Sequence, residues 1–239
     1  MHIMLTGHRG YIGSELLNRL RKNHSVVGFD LLDGQDLASI KLIENFDLII
    51  HLAGRSGVRE SFNNPHDYWF NNLEVFKRIL NIYGDTTRIL YASSSSAAEP
   101  ELNPYAASKF LMEIAASKYA NTLGMRFHTV YSANPRKGMF MQKLINKELQ
   151  YTTNHFRDFI HLEDLCDAIE LLIQTNLTDI IDIGTGKPVL ISDLAPDYPV
   201  KIDTYGERQE TRANISHLTS LGWQPKYDIK KFLETCYGL

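Results

Sequence analysis

His2-Ile3-Met4-Leu5-Thr6-Gly7-His8-Arg9-Gly10-Tyr11-Ile12-Gly13 opens the chain, and the reading of this stretch decides the fold. His2 to Thr6 is apolar enough for a short strand. Beyond Gly13, Leu16, Leu17 and Leu20 recur at helical spacing, which predicts an amphipathic helix. Three glycines, Gly7, Gly10 and Gly13, therefore stand between a strand and a helix. A dinucleotide-binding turn needs glycine there for three reasons. One permits the tight turn, one lets the backbone approach a pyrophosphate, and one lets helix and strand pack closely. The pyrophosphate would rest on the helix N-terminus, where N–H groups and the dipole favour an anion.

The next strand, Ser25-Val26-Val27-Gly28-Phe29-Asp30, ends in an acid. A carboxylate at that point can accept both hydroxyls of an adenosine ribose and repels a 2′-phosphate, which favours NAD over NADP. Arg9 pulls the other way, since a guanidinium could pair with a 2′-phosphate; Asp30 outweighs it. Asp36-Leu37 precedes a predicted short helix. Asp47-Leu48-Ile49-Ile50-His51-Leu52-Ala53-Gly54 is a buried strand ending in small residues. Only residues 31 to 46 separate Asp30 from Asp47, so the third strand of a doubly wound sheet should be short or missing. Asn64-Pro65 starts a helix to about Tyr83 that carries Asn72. Arg88 to Ala92 is a strand running into Ser93-Ser94-Ser95-Ser96, and a further strand is expected over Met125 to Val130.

Asn103-Pro104-Tyr105-Ala106-Ala107-Ser108-Lys109 begins a helix expected to reach about Thr122. Tyr105 and Lys109 fall on one face, one turn apart. A free phenol titrates near pH ~10. A fixed positive charge a few Å away favours the phenolate and draws that value toward neutrality. Such a Tyr can take a proton from an alcohol, or return one to a ketone, near pH ~7.

Strand and helix alternate as far as Tyr131, which predicts an α/β, Rossmann-like, doubly wound parallel sheet. Beyond it the pattern loosens: a helix over Lys137 to Lys147, an extended Arg157 to Ile160, a helix over Leu162 to Gln174, a strand over Asp179 to Ile183, a short strand near Val200, and helices near Ser216 and Ile229. The expected division is a dinucleotide-binding domain over residues 1–135 and a small, trimmed C-terminal substrate lobe over 136–239, together one compact unit. Net charge is −3 and 44% of residues are hydrophobic, which gives no reason to expect nucleic acid or an anionic membrane as partner. No apolar run is long enough to span a bilayer, and no signal-peptide pattern opens the chain. Cys166 and Cys236 read as reduced thiols in helical contexts, which points to the cytoplasm. No His, Cys or acidic cluster has metal spacing; His51 and His161 read as satisfied core or edge histidines.

In combination, Thr6-Gly7-x-x-Gly10-x-x-Gly13, Asp30, His51-Leu52-Ala53-Gly54, Asn72, Ser93 to Ser96, Tyr105-x-x-x-Lys109, Arg157-Asp158-Phe159 and Asp164-Leu165 resemble the extended short-chain dehydrogenases/reductases, specifically nucleotide-sugar epimerases and dehydratases. Ser56-Gly57-Val58-Arg59, Asn64 to Tyr68, Tyr91 to Ser96 and Arg126 to Tyr131 are most similar to UDP-glucuronate 4-epimerases. The resemblance implies bound NAD held by Gly7, Arg9, Gly10, Tyr11, Ile12, Gly13, Asp30, Asp36, Leu37, Leu52, Ala53, Gly54, Asn72 and Lys109. It implies catalysis by Tyr105, Lys109 and Ser94, with Ser95 as second choice for the serine. For a nucleotide-diphosphate sugar it implies contacts from Ser95, Thr129, Arg136 and Arg157, and for association a homodimer through the helices of Asn72 and Tyr105.

Departures from the family pattern bear on the substrate. Ala97-Ala98-Glu99 stands where the family often reads Val-Tyr-Gly, Ser132-Ala133 where Gly-Pro is usual, and the segment 97–104 is short. A 4,6-dehydratase needs an acid-base pair where this chain has Ser95-Ser96. The leading expectation is an NAD-dependent nucleotide-sugar 4-epimerase, acting on a uronic acid. An NAD(P)H-dependent keto-sugar reductase of the GDP-fucose synthase type, and a non-catalytic nucleotide-binding protein, stand as alternatives.

Overall fold

Strand β1 (His2–Thr6) of the computed structural model, which describes residues 1–202 and 205–238, has Ile3, Met4 and Leu5 fully buried. Successive side chains of a strand face opposite ways, so a run buried throughout belongs inside a sheet covered on both faces. One cover is α1 (Tyr11–Leu20), which buries Gly13, Leu16, Leu17 and Leu20. The chain then forms β2 (Ser25–Phe29), β3 (Leu48–His51), the helices α2 (Val58–Asn63), α3 (Pro65–Tyr68) and α4 (Val75–Tyr83), strand β4 (Arg88–Ser94), helix α5 (Pro104–Ala116) and strand β5 (Thr122–Phe127).

There follow β6 (Thr129–Tyr131), α6 (Phe140–Ile145), β7 (Thr152–Thr153), β8 (Phe156–His161), α7 (Leu162–Ile173), β9 (Asp179–Ile183), β10 (Pro188–Leu190), β11 (Val200–Lys201), α8 (Ser216–Ser220) and α9 (Ile229–Tyr237). The main sheet has six strands in the order β2-β1-β3-β4-β5-β9. Ile3 faces Val26 on one side and Leu48 on the other, and both pairings are parallel, as is β3 with β4. Strand order reverses between β1 and β3, and a crevice at such a switch point is where a doubly wound sheet takes its ligand.

Residues 30–47 hold no strand, as their brevity predicted, so β2 ends the sheet. The helix expected after Asp36 is a single turn. Asp36 Oδ1 accepts the Ala38 N–H at 2.9 Å, a local bond that competes with helix propagation. The helix expected from Pro65 to Tyr83 is unbroken but widens into a π turn over Trp69–Glu74. Helix α5 stops at Ala116, short of the expected Thr122, because Thr122 Oγ1 donates to the Ala116 and Tyr119 carbonyls and closes the C-terminus. The strand expected over Met125 to Val130 is two strands, β5 and β6, parted at His128.

Contacts divide the chain into two units, Met1–Arg126 with Leu172–Ile181, and Phe127–Leu171 with Asp182–Leu239. The first packs around Met4, Ile49, Phe76, Ile79, Ile89 and Met112. The second packs around Tyr131, Leu144, Phe159, Leu194 and Leu233. In the second unit β8 pairs in parallel with β6 and antiparallel with β10.

Candidate active site

The glycine loop is built by close approach. Gly7 has φ +70°, donates its N–H to Phe29 O at 2.8 Å, and a Cβ on it would stand 2.7 Å from Ala53 N. A Cβ on Gly13 would collide with the Gly7 carbonyl. No other residue fits either place. Gly10 caps α1 with no side chain to occupy the first-turn N–H groups, and no acid lies in that turn. The positive end of the helix is thus left for an anion. Leu52 N and Ala53 N donate to Thr6 O and Thr6 Oγ1, both at 3.2 Å, which holds their segment against Gly7.

Asp30 follows β2 directly and accepts the backbone N–H groups of Arg9 and Leu32, each at 3.0 Å, one on each oxygen. Each oxygen keeps a lone pair for a hydroxyl donor. The Arg9 guanidinium turns to Asp33 Oδ1 at 2.6 Å. Asp36 bonds its own turn. Leu37 sends its side chain into the core and its carbonyl to Arg78 at 2.6 Å.

Asn72 is fully buried on the π turn. Its Oδ1 accepts from Arg55 N at 2.7 Å, and its Nδ2 donates to Arg55 O at 3.1 Å and Ser108 Oγ at 2.8 Å. Ser108 in turn donates to Tyr105 O at 2.8 Å. Asn72 therefore ties the backbone after Gly54 to the first turn of α5. That helix starts where its sequence dictates, with Asn103 Oδ1 accepting from Ala106 N at 2.8 Å and Pro104 in the first turn.

Lys109 is buried and donates from Nζ to Ala92 O of β4 at 2.8 Å. Burial lowers its pKa to about 8, against an opposing pull from Glu113. Tyr105, one turn back, meets Tyr68 edge to face at 6.0 Å. The serine run sorts by strand alternation. Ser93 Oγ donates to Glu113 Oε1 at 2.6 Å, while Ser94, on the other face, accepts Ser96 N–H at 3.1 Å and keeps its own hydrogen to donate. Behind the site, His51 is fully buried with Nδ1 on Thr6 Oγ1 at 2.8 Å. Its Nε2 has no hydrogen-bond partner among the described residues, so it is not the fully satisfied core histidine the sequence suggests. Burial holds its pKa at about 3, with Lys109 a lesser cause, so the ring is neutral.

Thr129, Arg136 and Arg157 belong to the second unit. Thr129 starts β6, Arg136 is exposed after it, and Arg157 on β8 pairs with Glu207 Oε2 at 3.2 Å and donates to Phe156 O and Arg208 O. Asp158 is fully buried and accepts from Thr185 N, Thr185 Oγ1, Gly186 N and Ala213 N at 2.7–2.9 Å. Asp164 accepts from Lys226 N and Tyr227 N at 3.0 Å. Sequence reasoning missed His8, Asp33, Ser108 and the pairing of buried Glu113 with half-buried Arg126 (2.7 Å), none of which has a role fixed by a spacing motif.

The family profile described as NAD dependent epimerase/dehydratase matches residues 3–184. The chain belongs to that family. NAD is the cofactor this membership implies, and the glycine cradle with its two excluded Cβ positions fits a dinucleotide. Among relatives of this epimerase/dehydratase chain, Protein CapI of Staphylococcus aureus is 28% identical, over 73% of this chain and 70% of CapI. The UDP-glucuronate 4-epimerase of Thermodesulfobacterium geofontis is 26% identical, over 91% of this chain and 80% of that protein. The solved structure of MoeE5 in complex with UDP-glucose and NAD superposes with TM-score 0.86 at 26% identity, covering 98% and 97% of the two chains.

Proposed function

We propose that this chain is a 4-epimerase of nucleotide-diphosphate sugars, with a hexuronic acid such as UDP-glucuronate as substrate. The observation that carries the reading is Lys109, buried against Ala92 O one turn from Tyr105 in a chain of the epimerase family. NAD, when bound, supplies the reversible two-electron oxidation of a sugar carbon. Tyr105 takes the proton of the sugar 4-hydroxyl as the ketone forms and returns it when the ketone is reduced. Lys109 brings a positive charge that favours the phenolate and is little screened in a dry site. Ser94 donates to the same sugar oxygen and orients it. Turning the ketone over between the two half-reactions inverts that carbon with no net oxidation.

The substrate class is supported by relatives named UDP-glucuronate 4-epimerase, and by MoeE5, solved in complex with UDP-glucose and with UDP-glucuronic acid. By their chemistry the hydroxyls of Ser95 and Thr129 and the guanidinium of Arg136 are assigned to a sugar carboxylate. Arg157 is assigned to the diphosphate, and its guanidinium keeps donors beyond those given to Glu207, Phe156 and Arg208. Engagement of Arg9 by Asp33 tells against the NADPH-dependent reductase. A homodimer fits the apolar residues left out of the core on α2, the π turn and α5: Phe62, Trp69, Phe70 and Ile114, each 37–47% exposed. Among the described residues no helix is long and apolar enough to cross a membrane. A cytoplasmic setting fits two cysteines present as thiols.

The test begins with purified protein, denatured and filtered, and the released nucleotide identified by chromatography. Near-stoichiometric NAD is expected, with conversion of UDP-glucuronate to UDP-galacturonate when no cofactor is added. An empty protein that binds NADPH better than NADH would overturn the epimerase in favour of the reductase.

A further inference from the structure

Asp33 lies three residues past the acid that follows β2, and both of its carboxylate oxygens are engaged. Oδ1 accepts from Arg9 Nη1 at 2.6 Å, and Oδ2 accepts from His8 Nε2 at 2.9 Å. His8 and Arg9 are the two non-glycine residues of the first half of the glycine loop, Gly7-His8-Arg9-Gly10. Asp33 therefore clamps both side chains of the loop to the end of β2. The Arg9 backbone is fixed as well, by its N–H on Asp30 Oδ2 at 3.0 Å. His8 is seated by Gly28 of β2, where a Cβ would stand 2.6 Å from the imidazole Nδ1. Asp33 itself sits in a tight turn whose last residue, Gly34, has φ +74° and returns its N–H to Leu31 O at 3.0 Å. The carboxylate is thus held in place from its own side too.

Arg9 is the one basic side chain in the glycine loop, and it stands beside Asp30. A guanidinium there would be the natural partner of a phosphate on the ribose 2′-oxygen. It is already paired, with a carboxylate only about a third exposed, and a phosphate would have to displace that carboxylate and accept its repulsion. We infer that Asp33 is a specificity-determining residue, which excludes cofactors carrying a 2′-phosphate by sequestering Arg9. The inference rests on the NAD-dependent reading and on Asp30 as the ribose acceptor. It differs from the ordinary role of Asp30 in one respect. Asp30 repels a 2′-phosphate by its own charge, whereas Asp33 acts by withholding the cation that would otherwise attract one.

The test is equilibrium binding of NADH and of NADPH to the full chain freed of nucleotide, followed by fluorescence titration. Wild-type protein is expected to prefer NADH by at least 100-fold. Asp33→Asn keeps the shape of the side chain and removes its charge, and it is expected to raise the NADPH-to-NADH affinity ratio by tenfold or more. The double variant Asp33→Asn with Arg9→Met is expected to bring the ratio back to within threefold of wild type. A single variant whose ratio stays within twofold of wild type overturns the inference, as does a double variant that keeps the gain, since the released cation would then not be Arg9. If Asp33→Asn fails to fold, Arg9→Met alone decides: an NADPH-to-NADH affinity ratio within twofold of wild type supports a sequestered Arg9, and a ratio lowered by more than that shows Arg9 already serving the 2′-phosphate and overturns the inference. Wild-type protein that binds neither dinucleotide would overturn the NAD-dependent reading itself, which separates the two failures.

Discussion

Tyr105→Phe removes one oxygen and leaves the ring against Tyr68. If Tyr105 moves the proton, kcat falls by about 10²–10⁴-fold while the NAD released on denaturation is unchanged. Loss of nucleotide together with activity would instead assign the ring a binding role. Lys109 makes a prediction that is independent of turnover. Its pKa is about 8 in the folded chain, against an ordinary 10.5, so charging it costs the folded state. Between those two values the unfolded chain binds the more protons, and stability therefore rises with pH; below 8 the full cost is present. Lys109→Met should then gain on wild type at pH ~7, with the gap shrinking by roughly 2 kcal/mol on going to pH ~10, as read from urea unfolding of the pair. A gap independent of pH would mean that Lys109 titrates normally. Both residues were legible in the sequence because i and i+4 on a helix are neighbours whatever the rest of the chain does. Asp33 was not. Its partners lie 24 and 25 positions earlier and meet it only because β1 and β2 pair in parallel.

At the scale of elements, α5 is locked to the sheet by charge as well as by packing. Glu113 accepts from Ser93, and takes a two-pronged bond from Arg126 of β5, at 2.6–2.8 Å. Glu113→Ala leaves a guanidinium and a hydroxyl facing the void, and a loss of about 3 kcal/mol is expected by chemical denaturation. A loss under about 1 kcal/mol would show that α5 is held by apolar contacts alone. In the second unit Asp158 plays the matching part for the turn at Thr185 and Gly186 and for Ala213. Asp158→Ala should lower stability by at least about 3 kcal/mol, since buried donors lose a charged acceptor. The sequence assigned Arg157 a role and gave Asp158 none beyond its place in the motif. Motif reading favours a side chain with a ligand to bind, and a carboxylate whose partners are three backbone N–H groups and one hydroxyl far along the chain leaves no periodic trace. Element ends were the least legible for a related reason. Thr122 stops α5 with one hydroxyl, and the bond depends on where the chain returns after the helix.

For the molecule as a whole, alternation of strand and helix was enough to foresee the parallel sheet, and the short gap before Asp47 was enough to foresee its missing strand. Nothing in the sequence indicated which helical residues stay uncovered, because burial is settled by neighbours far along the chain. Phe62, Trp69, Phe70 and Ile114 are 37–47% exposed here, and the proposed homodimer would cover them. Multi-angle light scattering should give twice the mass of the 27.3 kDa chain. Trp69→Glu with Phe70→Glu should return the mass to that of one chain. A wild-type monomer would overturn the dimer and leave the apolar face without an explanation.

The π turn at Trp69–Glu74 has a bearing on how this helix tolerates change in length. A π turn holds one more residue than an α turn, so it behaves as an insertion absorbed in place. Deleting one residue there would restore a regular helix with the flanking turns facing as they do now. The turn itself would be redrawn, and Asn72 with it. A shorter, straighter helix is open to this chain only at the expense of the bridge between Gly54 and α5.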